Sequence, residues 1–200
     1  MDPIPFAILP AGIVFAALLV LFALGEVTIR VVSFRNSAGS AARPERVSYA
    51  VLMLAFAVAI AGSLVVAGTV PGAAIRGGRE ALFVVGVVLT AAGMALRAWA
   101  IVVLGRSFTV EVRVREAQQV VDRAPYSVVR HPSYTGLLLV FLGMGLALGN
   151  WPALAIAIVP AAAAIVFRIR IEEAALEAGI GEPYRAYRRR VRFRVVPFVW

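Results

Sequence analysis

Five stretches of the chain are apolar almost without interruption, and charged residues gather between them. They cover residues 4–29, 49–70, 81–103, 132–148 and 152–167. About 20 apolar residues, rising 1.5 Å each, cross the roughly 30 Å of hydrocarbon in a bilayer. The first three runs reach that length and the last two are shorter. Pro132 suits the first position of a helix, where its missing N–H costs nothing. Gly149-Asn150-Trp151-Pro152 reads as a tight turn, with Trp151 at a membrane interface. The pattern predicts an all-α integral membrane protein with five transmembrane helices. The last two form a short helical hairpin, with a kink expected at Pro160. Gly136, Gly143, Gly145 and Gly149 would let helices approach closely. Residues 1–103 then hold three N-terminal spans, and residues 104–200 hold a loop, the hairpin and a polar tail. The first run is read as a retained span, because Asp2 stands where a signal peptide is basic and no clear small-residue cleavage site precedes Glu26.

Composition strengthens this picture. Of 200 residues, 62% are hydrophobic and 16% charged, against about 25% charged in soluble domains. Mean hydropathy is +0.89. A disordered chain, a disulfide scaffold and a zinc–cysteine module are excluded, the last two by the absence of cysteine. No metal is expected.

The net charge of +9 changes the reading only through its placement. All 20 basic residues are arginine, and 17 of them lie in segments 30–48, 104–130 and 168–200. The positive-inside rule puts those segments in the cytoplasm, with the N-terminus outside and the C-terminus inside. The basic excess is thus topological, and no nucleic-acid partner is expected. An all-arginine, Ala/Val-rich chain reads as the product of a GC-rich prokaryotic genome, which suggests a prokaryotic inner or plasma membrane. Arg188 to Arg190 suit anionic lipid headgroups, at about 1 kcal/mol per charge. Glu26 and Arg30 are spaced to pair along one helix face. Arg97, inside the third span, either snorkels to the cytoplasmic interface or takes part in an ion pair or a substrate contact.

The candidate chemistry sits in the last loop and the tail. Val110, Val112 and Val114 alternate with charged residues, an extended pattern. Arg130-His131-Pro132-Ser133-Tyr134-Thr135-Gly136 leads into the fourth span. His131, the single histidine, is open to a structural or a catalytic role. It stands at a helix N-terminus, where free N–H groups favour an anion. Arg168 and Glu172 lie one turn apart on a helix face, as a surface pair or a functional one. Tyr184 and Tyr187 share another face.

The string from Arg130 to Gly136, preceded by Ala124-Pro125-Tyr126 and followed after the hairpin by Glu172-Glu173 and Tyr184-x-x-Tyr187, resembles the isoprenylcysteine carboxyl methyltransferase family. That family groups with the phospholipid methyltransferases among integral-membrane enzymes. The resemblance covers residues 105–198. It implies an S-adenosylmethionine-dependent methyltransferase whose cytoplasmic loop and tail form the cofactor site. The matching cofactor positions are Gln118, Gln119, Val120, Val121, Tyr126, His131, Pro132, Ser133, Tyr134 and Glu172. Arg168 matches a position associated with the lipid substrate, so Arg168 and Glu172 are the expected catalytic pair. Glu111 is a further candidate to face the cofactor. The sequence departs from the family at Gln118, where His is common, and at Ala124, where Gly is common. No Gly-rich phosphate loop is present. The implied partners are membrane lipids and a lipophilic or prenylated acceptor bearing a carboxylate or an enol or phenol oxygen. Membrane sterol reductases, which bind NADPH, carry a similar Arg-His-Pro-x-Tyr element, and a non-enzymatic membrane scaffold is the third reading.

Overall fold

A computed structural model describes residues 3–36, 43–105 and 120–200. The expected extended stretch at Val110 to Val114, together with Glu111, Gln118 and Gln119, lies outside the described residues. Those described form helices α1 (Ile4–Ala7), α2 (Leu9–Asn36), α3 (Arg43–Ala57), α4 (Ser63–Thr69), α5 (Arg79–Leu104), α6 (Pro132–Leu148), α7 (Trp151–Ile180) and α8 (Glu182–Arg190). No strand occurs among them; a lone bridge joins Ala74 to Asn150. Four stretches are long and apolar enough to cross a membrane: Leu9–Val31, Arg46–Thr69, Arg79–Leu104 and Trp151–Ile180. The fifth expected span, Pro132–Leu148, is apolar but shorter.

Three elements differ from the sequence reading. The first run is not one helix, because Ile8 is extended, at φ −125° and ψ 112°. In an unbroken helix the Pro10 ring would strike the Phe6 carbonyl and offer no N–H to it. The second span widens at Val58–Gly62 into a single turn of π-helix, the usual form in which one extra residue enters an α-helix. The hairpin is not short on both arms, since α7 has 30 residues, or about 45 Å. It runs through Pro160 without ending and carries the chain well beyond Phe167, where the last apolar run stops.

Helix α6 is fixed at both ends. At its C-terminus Gly149 adopts φ 59°, which a glycine accepts without strain. Buried Asn150 then accepts from the Ala153 N–H at 3.1 Å and donates to the Val70 carbonyl at 2.9 Å. Along its length α6 lies against α5 at backbone contact. A Cβ on Gly93 would sit 2.5 Å from the Gly136 carbonyl oxygen, and one on Gly143 would sit 2.5 Å from that of Gly86. Only glycine permits this approach. On the other face, Phe141 meets Phe56 at 4.7 Å and Phe22 at 5.9 Å between ring centroids, in the centre of the bundle.

Replacing Gly136 with Leu should force α5 and α6 apart and cost at least the 1–3 kcal/mol typical of overpacking. Gly25→Ala, where a Cβ meets nothing within 4 Å, should leave the unfolding midpoint in detergent unchanged.

Candidate active site

The site begins where the chain enters α6. Arg130 and His131 are buried, and their backbone N–H groups donate to the carbonyls of Phe193 and Arg194 at 2.9 and 2.8 Å. The Thr135 hydroxyl donates to the Val195 carbonyl at 2.7 Å. The tail thus lies along the start of α6 as an irregular third partner. The N–H of Tyr134 is taken by the His131 carbonyl at 3.0 Å. The α6 terminus therefore keeps fewer free donors for an anion than the sequence suggested.

Glu173 ties this region together. One oxygen accepts from Arg130 Nε at 2.8 Å and lies 3.2 Å from His131 Nε2; the other accepts from Arg194 Nε at 3.0 Å. The Arg130 guanidinium also donates to the carbonyls of Val191 and Arg192, at 3.0 and 3.1 Å. A buried carboxylate is tolerated only with such a set of charged partners. Glu173 stood in the sequence motif, but nothing there separated its role from that of Glu172.

Glu172, the next residue on α7, points elsewhere. It accepts a 2.7 Å hydrogen bond from the Tyr134 hydroxyl, and its other oxygen lies 3.9 Å from His131 Nδ1. The His131 and Tyr134 rings stand 5.8 Å apart. Arg168 lies one turn back along α7, only 2% exposed, and donates to the Ser48 hydroxyl of α3. It is no surface residue. Arg168 also bears on the Tyr134 hydroxyl. The motif entering α6 and the motif leaving α7 are therefore in direct contact.

Ser133 connects to a second polar group. Its hydroxyl accepts from the Arg97 guanidinium at 2.6 Å, while Arg97 holds Glu26 in a two-pronged pair at 2.6 and 2.8 Å. The expected Glu26–Arg30 pair is thereby corrected: Arg30 instead stacks over the Tyr49 ring at 4.9 Å. Of the two roles open to Arg97, the structure takes the ion pair. A cation in a span needs a counter-charge, and Glu26 was the acid at matching depth. Around the pair, α2 and α5 enclose a cleft of about 340 Å³, lined by Leu21, Phe22, Met94, Ala98 and Ile101 among others.

The remaining residues form the polar end. The Tyr126 hydroxyl donates to the Ala100 carbonyl at 3.2 Å, and that of Tyr187 donates to the Tyr126 carbonyl at 2.7 Å. Tyr184, Tyr187 and Val191 make a small core onto which Val120 packs. Burial pushes the Tyr126, Tyr184 and Tyr187 hydroxyls above the ordinary tyrosine range, and for Tyr126 the charge of Glu172 adds to this. All three are neutral at physiological pH. Val121 is half-buried. The expected headgroup arginines are paired within the protein: Arg188 with Glu177, Arg189 with Glu182 and Arg190 with Asp122.

Of the ten cofactor positions read from the sequence, eight are described. Val120, Tyr126, His131, Ser133, Tyr134 and Glu172 converge on the end of the bundle where α6 starts. Pro132 is buried between His131 and Ser133, and Val121 follows Val120. The donor set suits an S-adenosyl group. The partly buried Glu172 carboxylate, held by the Tyr134 hydroxyl and near the His131 ring, keeps acceptor capacity, aromatic rings offer flat apolar surface, and the buried Tyr184 hydroxyl has no partner.

A family model described as phospholipid methyltransferase matches residues 81–182. Protein-S-isoprenylcysteine O-methyltransferase B of Arabidopsis thaliana is 37% identical over 121 residues, which is 57% of this chain and 58% of that protein. Protein-S-isoprenylcysteine O-methyltransferase of Schizosaccharomyces pombe is 34% identical over 101 residues, 50% of this chain and 43% of that protein. The chain spans about half the length of these curated relatives.

Truncating Glu173 to Ala strands Arg130 in a buried site and should cost about 3–5 kcal/mol of stability. Glu182→Ala, at the surface of α8, should leave the thermal midpoint where it was.

Proposed function

The chain belongs to the phospholipid methyltransferase family, and from that premise we propose that it transfers the methyl group of S-adenosylmethionine to a lipophilic acceptor at the start of α6. The observation that carries this reading is the 2.7 Å bond between Tyr134 and Glu172. It joins two sequence motifs 38 positions apart into one polar site at the edge of an apolar bundle. A methyl donor from water and an acceptor from the bilayer can meet at such a boundary.

The donor, when bound, supplies a methyl group activated by a sulfonium. Methyl transfer is an in-line displacement, so the residues act by binding, orientation and exclusion of water. Glu172 offers its remaining lone pairs to cationic or N–H groups of the donor, and Tyr134 fixes its rotamer. His131, Tyr126, Ser133 and Val120 line the same end, with Pro132, Val121, Gln118 and Gln119 completing the set that the family resemblance implies. Arg168 is suited to hold an acceptor carboxylate by two parallel hydrogen bonds. A carboxylate acceptor needs no general base. An enol or phenol acceptor must lose a proton, and Glu172 or His131 would receive it. The names of the two relatives support an oxygen acceptor on a prenylated or similarly lipophilic molecule. The cleft between α2 and α5 suits the acceptor's hydrocarbon chain, being apolar apart from Thr28 and the Glu26–Arg97 ion pair next to Ser133. The arginine distribution supports a cytoplasmic site, with the N-terminus outside.

Incubating the purified protein with labelled S-adenosylmethionine and a lipid extract should transfer label to a lipid-soluble product. Glu172→Gln should lower that transfer by at least about 100-fold, the scale of a lost electrostatic contact in the transition state, without altering the fold. Near-wild-type transfer by Glu172→Gln would remove the assignment. Gly25→Trp, which fills the cleft, should reduce transfer to long-chain acceptors while leaving S-adenosylhomocysteine binding intact.

A further inference from the structure

One buried polar atom stands apart among the described residues. The Tyr184 side chain is only 3% exposed, and its hydroxyl is the single buried side-chain polar atom among them without a hydrogen-bond partner. Its neighbour on α8, Tyr187, has the same burial but a satisfied hydroxyl, bonded to the Tyr126 carbonyl at 2.7 Å. Burying an unpaired hydroxyl costs free energy that a phenylalanine at the same place would not incur. Packing alone therefore does not account for tyrosine at position 184.

Its surroundings point to a ligand contact. Tyr184 packs with Tyr187, 6.0 Å away between ring centroids, and with Val120, one of the residues that the family resemblance assigns to the cofactor. Glu173, Glu172 and Arg130 all bear on it electrostatically. It stands on α8, which carries Glu182, Arg185, Arg188, Arg189 and Arg190 and lies outside the apolar runs. A lipophilic acceptor has its chain among the spans. The polar, water-borne reactant belongs at this end. We propose that the Tyr184 hydroxyl is a hydrogen-bonding contact for the S-adenosyl methyl donor, additional to the residues matched from the family. A tyrosine hydroxyl both donates and accepts, so it can serve a carboxylate, a ribose hydroxyl or an adenine edge.

The inference rests on the proposed methyltransferase reading, and one experiment separates the two. Titrate the full-length protein in detergent with S-adenosylhomocysteine, as wild type, Tyr184→Phe and Tyr187→Phe, and record the thermal midpoint of each without ligand. Wild type that fails to bind overturns the methyltransferase reading itself. With wild-type binding in place, Tyr184→Phe should weaken affinity by about tenfold, the value of one hydrogen bond to a polar ligand. Its midpoint without ligand should stay the same or rise, because an unsatisfied group has been removed. Tyr187→Phe should lower the midpoint. If Tyr184→Phe binds as tightly as wild type, or loses stability as Tyr187→Phe does, the hydroxyl is structural and the inference is overturned.

Discussion

The carboxylate of Glu173 is the point on which the rest of the site depends. It stands near the end of a 30-residue helix and gathers Arg130, His131 and Arg194 around its two oxygens. Arg130 and His131 are neighbours at the entry to α6, and Arg194 comes from the C-terminal tail. A buried acid is costly unless its neighbours neutralise it, and here they do so only when both of these stretches are packed against α7. The tail from Val191 to Val195 has no helix of its own. Its geometry comes from bonds to Arg130, His131 and Thr135.

Rigidity at this end is matched at the other. Asn150 stitches the α6–α7 turn to the chain leaving the second span, and glycines press α5 onto α6 in between. Helix α6 is short for a span, yet it is clamped at both termini and along one side. Its first turn is a fixed shelf carrying His131, Ser133 and Tyr134. Preorganisation of this kind suits the displacement reaction proposed for this site.

The spans were legible because twenty apolar residues in succession permit few other structures. Their interruptions were not. The break at Ile8 and the widened turn at Val58–Gly62 depend on local sterics that hydropathy does not record. The Tyr134–Glu172 contact was legible only through resemblance, since residues 38 positions apart carry no spacing rule. Glu172 and Glu173 looked equivalent in sequence. Consecutive helical residues diverge by about 100°, and that rotation sends Glu172 to Tyr134 and Glu173 to Arg130 and Arg194. The i,i+4 rule offered Arg30 as the partner of Glu26, whereas packing supplied Arg97 from 71 positions away. Such pairing follows from which helices become neighbours, which local spacing does not encode.

That last pair bears on how the protein is assembled. Helix α2 is exposed over most of its length and is tied to α5 by the pair of Glu26 and Arg97. Neither charge is comfortable in hydrocarbon by itself. A first helix inserted on its own must keep its acid near the headgroups until the third arrives with its guanidinium. Once joined, the two cannot separate within the lipid without exposing both ions. A helix that anchors itself in the core through Phe15 and Phe22 is thus held by electrostatics as well, and the order of synthesis becomes an order of docking.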